Sequence, residues 1–251
     1  MFAPKVSREW FLQQCVFIVV AILILAVLFN AFIQEAHADL AFNNKTRYVL
    51  KSARMPIVIQ NISLEETLVQ ISLERPGFSN SETPIALNNP LIKIGAHTSK
   101  TVEVIYKGAG LPEDRESLFI LSVREIPHKI RSDNLVHLSL NHKFKLFYRP
   151  LLISPSERKT PIVWAKDSSN NKLILNNKSP YYVTISQLKG AGLGLNCNLS
   201  IDHIMVAPFT QEKVSAGCEI HSMNYSQVTD EGNLRPFKVD FTESENLPYA
   251  M

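Results

Sequence analysis

Short β-type segments recur about every ten residues through most of this sequence, and they constrain its fold more than any other feature. The segments are rich in Val, Ile, Leu, Thr and Tyr, and Asn, Ser, Gly, Pro or charged residues bound them; RYVL (47–50), KTVEVIY (100–106) and SLFILSVREI (117–126) are examples. No stretch after residue 39 keeps a 3.6-residue apolar period over ten positions. The pattern therefore predicts an all-β protein built from β-sandwiches.

A polar stretch divides the series of segments in two. ISPSERKTP (153–161) contains two prolines and follows Pro150, and a second series of strand-like segments begins after it. Such a stretch is typical of a hinge between domains. We therefore expect one sandwich over residues 39–152 and a second over 153–251.

The first 38 residues have a different character. Lys5 and Arg8 precede the unbroken apolar run CVFIVVAILILAVLF (15–29), and Ala36-His37-Ala38 has the small residues of a signal peptidase site. This pattern predicts an export signal, residues 1–38, cleaved before Asp39, which leaves no stable membrane insertion. The alternative is an anchor that is never cut, although a run of 15 residues is short for a span of about 20.

Export would change how the three cysteines are interpreted. Cys15 would leave with the signal, so Cys197 and Cys218 would remain as an even pair in an oxidising compartment. A disulfide between them would close a loop of about 20 residues and stabilise the fold by about 3 kcal/mol. Two free buried thiols are the alternative. A metal site is disfavoured, because no CxxC or His–Cys spacing accompanies the pair.

Composition and motif searches argue against several classes of function. The net charge is only +3 and no long Lys or Arg block is present, which disfavours nucleic acid as a partner. The sequence contains neither HExxH nor GxSxG, so no enzyme class, metal or cofactor is indicated. GAGLG (190–194) is not followed by a helical pattern, and we expect a flexible turn there.

Four motifs together carry a family resemblance. LPEDRESLFILSVREIP (111–127), HKFKLFYRP (142–150), the pair Thr46-Arg47 and NKSPYYVT (177–184) resemble the signature of the periplasmic pilus (fimbrial) assembly chaperones of the chaperone–usher pathway. The resemblance implies two immunoglobulin-like domains in an angled, L-shaped arrangement. The short connection HKIRSDN (128–134) is similar to that of the branch with a short F1–G1 loop.

The resemblance also implies a mode of binding. Pilus subunits of this pathway lack their last strand, and the chaperone lends them one of its own by donor-strand complementation. The implied donor residues are Val136, Leu138 and Leu140. The implied anchors for the terminal carboxylate of the subunit are Arg47 and Lys145.

The residues themselves leave alternatives open. The three donor residues could instead face their own core, and the two cations could be solvated surface residues. Strict alternation also places Lys145 on the face opposite the donor side chains. Either a bulge between Leu140 and Lys145 reconciles the two roles, or the carboxylate approaches from a different side.

By resemblance, Glu116, Arg149 and Asp230 should form a charge network between the domains. Such a network can fix geometry while adding little net stability. The alternative for Asp230 is that it caps a turn.

The expected function is therefore that of a periplasmic chaperone and not of an enzyme. It would bind pilus subunits, keep them from pairing with one another and deliver them to an outer-membrane usher. An exposed donor strand could also let the unloaded protein form a dimer with itself. The alternative is a secreted adhesion or binding module with two immunoglobulin-like domains, although the first domain lacks the cysteines such modules carry.

Overall fold

The computed structural model describes residues 18–20, 22, 25, 40–78, 83–126, 139–155, 162–167, 171–192, 197–241, 249 and 250. The chain divides into two units, 1–39 and 40–251. In the first unit the described residues are helical, and in the described part of the chain we find no helix with the length and hydropathy needed to span a bilayer. The predicted signal lies mostly outside the described residues.

Within residues 40–148, the described strands form two facing sheets. One has the order β1-β3-β7-β5 and the other the order β2-β9-β8-β4-β6. The strands are β1 Leu40–Ala41, β2 Arg47–Leu50, β3 Arg54–Asn61, β4 Thr67–Glu74, β5 Ile85–Leu87, β6 Leu91–Ile94, β7 Ser99–Tyr106, β8 Ser117–Ile126 and β9 Asn141–Tyr148.

Alternation along each strand explains why these segments make a sandwich. On β8 the side chains of Phe119, Leu121 and Val123 are fully buried while those between them are only partly covered. They share one core with residues of the opposite sheet, such as Ile57 and Val104. Because side chains on a strand point alternately to its two faces, each sheet buries one face against the other.

Within residues 162–250, the described strands form a second sandwich. Its sheets have the orders β10-β11-β14 and β13-β12-β15-β16-β17. A separate core contains Trp164, Ile185 and Tyr225. The prediction of an all-β protein with two immunoglobulin-like sandwiches is confirmed. The strands are β10 Val163–Asp167, β11 Lys172–Asn176, β12 Val183–Gly192, β13 Asn198–Val206, β14 Gln211–Ser215, β15 Ile220–Val228, β16 Leu234–Asp240 and β17 Tyr249–Ala250.

A disulfide joins Cys197 to Cys218 in the second sandwich, with the two Cα atoms 5.6 Å apart. The turn expected at residues 190–194 was wrong for Gly190–Gly192, which continue strand β12, and residues 193 and 194 lie outside the described residues. A Cβ at Gly192 would overlap both the carbonyl oxygen of Glu219 and the sulfur of Cys197. The glycine is therefore required by close packing against the disulfide, and not by a flexible turn.

Each sandwich contains a buried asparagine in an Asn-x-Ser sequence. The amide of Asn61 donates to the carbonyl oxygens of Glu65, Ile94 and Gly95. In the second sandwich, the amide of Asn177 donates in the same way to the carbonyl oxygens of three residues, Tyr181, Val206 and Ala207. Each asparagine thus fixes the loop that follows it, because its hydrogen bonds satisfy backbone groups of two separate segments.

Candidate functional site

Arg47 and Lys145 lie directly opposite one another on neighbouring strands. Strands β2 and β9 pair in parallel, with Arg47 as the partner of Lys145 and Val49 as the partner of Phe147. Paired residues project from the same face of a sheet, so the two cationic side chains are neighbours. The guanidinium carbon of Arg47 lies 5.8 Å from the centroid of the Phe147 ring.

A histidine from the second sandwich meets this pair. The Nζ atom of Lys145 lies 2.7 Å from the Nε2 atom of His203, which is on strand β13. Burial and the charge of Arg47 lower the pKa of Lys145. Burial, Lys145 and Arg47 likewise lower the pKa of His203. Three basic groups therefore oppose one another's charge here, and an anion placed among them would relieve that repulsion.

The site lies on the opposite face of β9 from the core. Phe144 and Leu146 point into the first sandwich, whereas Lys145 points to the other face. The pairing of β9 with β8 is continuous from Asn141 to Tyr148, without a shift in register. The bulge that would have brought Lys145 to the donor face is therefore not present over these residues. An anion at Lys145 would have to approach from the face away from the core.

Leu140 lies on the same face of the chain as Phe144 but beyond the end of the core. Its backbone oxygen accepts a hydrogen bond of 3.1 Å from the amide of Glu125, which continues the β8–β9 ladder. Leu140 is 45% exposed, although Phe144 is buried. One face of this segment therefore serves the core at one end and is exposed at the other. Val136 and Leu138 lie outside the described residues, as does the predicted short F1–G1 loop.

One edge of β9 is only partly covered among the described residues. Strand β8 pairs with all of β9, whereas β2 pairs only with residues 145–148 on the other side. Within the described part of the chain, no strand pairs with residues 141–144 on that side. Unpaired backbone groups at such an edge can add a further strand.

Arg149 connects the two sandwiches. Its Nε atom donates to Oε1 of Glu116 at 2.7 Å, and its two terminal nitrogens donate to the carboxylate of Asp230 at 2.7 and 2.9 Å. The side chains of Arg149 and Glu116 are only 12% and 2% exposed. The bidentate contact with Asp230 fixes the orientation of the guanidinium group as well as its distance from the carboxylate.

The electrostatics of this network follow from burial and pairing. Burial raises the pKa of Glu116, although the charge of Arg149 and the amide of Tyr182 oppose that rise. Burial alone would lower the pKa of Arg149. Its hydrogen bond to Asp230 and the charges of both carboxylates outweigh the effect of burial and raise the pKa of Arg149. The guanidinium therefore stays charged.

Backbone contacts reinforce the same junction. The amide of Glu116 donates to the carbonyl oxygen of Pro180 at 2.9 Å, and the amide of Tyr182 donates to Oε2 of Glu116 at 2.8 Å. Asp230 lies in a turn in which Gly232 has a φ of 90°. A Cβ at Gly232 would collide with the Oγ1 atom of Thr46 in the first sandwich. The turn can approach that sandwich closely because this position is glycine.

The structure brings five of the predicted site residues into two groups, Arg47 with Lys145 and Glu116 with Arg149 and Asp230. Motif analysis missed His203, because a single histidine on a strand carries no pattern of its own. Among the described residues, no group of three or more His, Cys, Asp or Glu side chains could hold a metal ion.

Comparisons with known proteins find relatives of both sandwiches. Residues 43–154 match the N-terminal domain of the PapD pili and flagellar-assembly chaperones, and residues 157–238 match the C-terminal domain of the PapD pili assembly chaperones. The chain is 30% identical over 234 residues to the probable fimbrial chaperone YadV of Escherichia coli (strain K12), covering 82% of this chain and 93% of YadV.

Two solved structures share the fold. One is the SafB chaperone in complex with the SafA pilin of Salmonella enterica, with a TM-score of 0.67, 20% identity, and coverage of 83% of this chain and 99% of that one. The other is the periplasmic chaperone SfaE, with a TM-score of 0.62, 25% identity, and coverage of 78% and 95%. With both of its domains matched and YadV covered nearly in full, this chain belongs to the PapD family of pili assembly chaperones.

Proposed function

We propose that this protein binds pilus subunits in the periplasm, lends them the segment that leads into β9, and delivers them to an outer-membrane usher. The observation that carries the proposal is the pairing of Arg47 with Lys145 at the point where the open edge of β9 begins. A subunit anchored there by its terminal carboxylate would be placed in register to pair along residues 141–144 and the segment before them.

These contacts can supply a substantial free energy of binding to a subunit. Each hydrogen bond from a cation to the carboxylate is worth about 1.5–3 kcal/mol. Covering a fully exposed leucine contributes about 1.5–3 kcal/mol, and Leu140 is about half exposed, so it can supply about half of that. Backbone hydrogen bonds along the edge tolerate different guest sequences. The role is one of binding and transfer, and we propose no catalytic step.

The donor part of the proposal extends to Val136 and Leu138. They share the side-chain parity of Leu140, so an extended chain through these residues would present all three to one guest. The alternative of a secreted adhesion module explains the β-sandwiches but not the match of both domains to assembly chaperones.

The carboxylate anchor is tested by replacing one cation. Lys145→Ala should fold normally and lose the subunit that co-purifies with the wild-type protein from a periplasmic extract. Lys143→Ala is the matched control, because Lys143 lies on the same face of β9, two residues away, and is exposed. Normal co-purification with Lys145→Ala would contradict the proposal.

The position of the guest is tested with a peptide that copies the last residues of the co-purified subunit. We expect amidation of its C-terminus to weaken binding at least about tenfold, because a neutral end forms no charge-assisted bonds. Equal affinities of the acid and the amide would exclude anchoring by the carboxylate.

We also propose that residues 1–38 direct export and are then removed. Expressed in a Gram-negative host, the protein should be recovered from the periplasm with Asp39 at its N-terminus, as N-terminal sequencing would show. A full-length chain in the membrane fraction would favour an anchor instead.

A further inference from the structure

We propose that His203 is a third group of the carboxylate anchor, which accepts a hydrogen bond from Lys145 before a subunit binds and takes up a proton to hold the carboxylate afterwards. This inference rests on the proposed function, since it concerns the same anchor. It assigns a role to a residue of the second sandwich in a site otherwise built by strands β2 and β9.

The geometry fixes the starting state. A lysine ammonium group can only donate hydrogen bonds, so at 2.7 Å the Nε2 atom of His203 must accept one from Lys145. The imidazole is then neutral and carries its proton on Nδ1. In that state His203 holds the ammonium group at the junction of the two sandwiches.

The surroundings of the imidazole are cationic. Lys145 on β9 and Arg47 on β2 both act on His203 and lower its pKa, together with burial. On the neighbouring strand β12, the direct partner of His203 is the uncharged Ser186. The charged residues nearest in sequence on these two strands, Asp202 and Lys189, line a separate depression on the second sandwich.

A bound carboxylate would reverse this balance. It would engage Lys145 and Arg47 and place a negative charge beside the imidazole, which favours protonation of Nε2. The Nε2–H group would then donate to the carboxylate in place of accepting from Lys145. Binding of the subunit would therefore be coupled to the uptake of one proton by His203.

The sign of the pH dependence follows from this linkage. Because the pKa of His203 would be higher with the subunit bound than without it, affinity should rise as pH falls through the higher pKa. The gain in affinity should be complete below the pKa that His203 has without the subunit. Each unit of difference between the two corresponds to about tenfold in affinity.

The test uses the C-terminal peptide of the co-purified subunit as the probe. For the wild-type protein we expect Kd to fall about fivefold to tenfold between about pH 8 and about pH 5.5. His203→Gln keeps an acceptor for Lys145 but cannot be protonated, so it should bind at pH 8 and lose the pH dependence. His97→Asn is the control, because His97 is an exposed histidine in a turn of the first sandwich, remote in sequence from the anchor.

A second readout needs no variant. In NMR spectra of the wild-type protein, the pKa of the His203 ring should rise when the free-acid peptide binds and stay unchanged with the amidated peptide. A titration that is the same with and without the acid peptide would overturn the inference.

The outcomes separate the two proposals. If the acid peptide is preferred over the amide but the pH dependence persists in His203→Gln, the titrating group is elsewhere and only the role of His203 fails. If binding to the wild-type protein shows no pH dependence, the role of His203 likewise fails while the carboxylate anchor stands. If acid and amide bind equally, the carboxylate anchor fails and the proposed function falls with it.

Discussion

Arg149 is the residue on which the junction of the two sandwiches depends most directly. Its guanidinium group contacts Glu116 from the first sandwich and Asp230 from the second, and Glu116 is almost completely buried. Removing one partner of a buried ion pair leaves the other charge without compensation. That penalty is much larger than the net contribution of the intact pair.

We therefore expect Arg149→Met to destabilise the protein by about 3–5 kcal/mol, because the Glu116 carboxylate would stay buried without its cation. Urea unfolding followed by the fluorescence of Trp164 would measure the loss. Arg54→Met is the control, since Arg54 pairs with Glu103 on the exposed surface of the first sandwich, and its unfolding midpoint should not move. Equal midpoints for both variants would contradict the importance of the network.

Because of Tyr225, we expect the stability of the protein to fall as pH rises in the alkaline range. Burial raises its pKa to about 12, whereas a tyrosine in an unfolded chain ionises near pH 10. The unfolded chain thus loses the proton first, so this contribution is complete below about pH 10 and is lost as pH rises towards 12. Thermal unfolding measured from about pH 8 to about pH 11.5 should show a smaller alkaline loss in Tyr225→Phe than in the wild type.

At the scale of elements, the face of strand β9 that packs into the core continues into an exposed segment just before the strand. Its core side chains hold the first sandwich together, whereas Leu140 just before it is exposed. A charged side chain at position 140 should therefore weaken binding of a subunit without lowering the stability of the chaperone.

We expect Leu140→Asp to abolish capture of the subunit while leaving the unfolding midpoint of the chaperone nearly unchanged. Leu91→Asp is the matched control, because Leu91 is a 56% exposed leucine on β6, at the opposite edge of the same sheet. Co-purification of the subunit with each variant gives the comparison. Equal capture by both would remove Leu140 from the donor surface.

The strands could be predicted from sequence because their alternation is local, and the period-two pattern of β8 is visible in the letters. The family resemblance named Glu116 and Asp230 as partners of Arg149, and Arg149 contacts both carboxylates in the structure. His203 could not be found in this way. Its contact with Lys145 joins residues 58 positions apart on different sandwiches, and no local pattern encodes the way the two pack. The turn prediction failed at Gly192 because a glycine that is needed for close packing cannot be told from a turn glycine in the sequence.

At the scale of the whole molecule, the two sandwiches are stabilised differently. Each has its own core and its own buried asparagine, but the disulfide between Cys197 and Cys218 belongs to the second alone. The second sandwich also supplies Asp230 and His203 to the junction. Its integrity therefore affects the geometry of the anchor.

Replacing both cysteines with alanine should lower the stability of the second sandwich by about 3 kcal/mol, because the unfolded chain gains the freedom of a loop of about 20 residues. Fluorescence of Trp164, which lies in that core, would follow the change during urea unfolding. Dithiothreitol should shift the wild-type midpoint towards that of the variant. A midpoint insensitive to the reductant would show that the bond contributes little.

The continuous ladder of β9 also limits how this segment can change in evolution. Because Leu140 and Phe144 share one face, inserting a single residue between them would turn the preceding segment over and present its polar side to the guest. Inserting two residues would restore the original face and merely lengthen the reach of the segment. Related chaperones should therefore differ in length at this point by even numbers of residues.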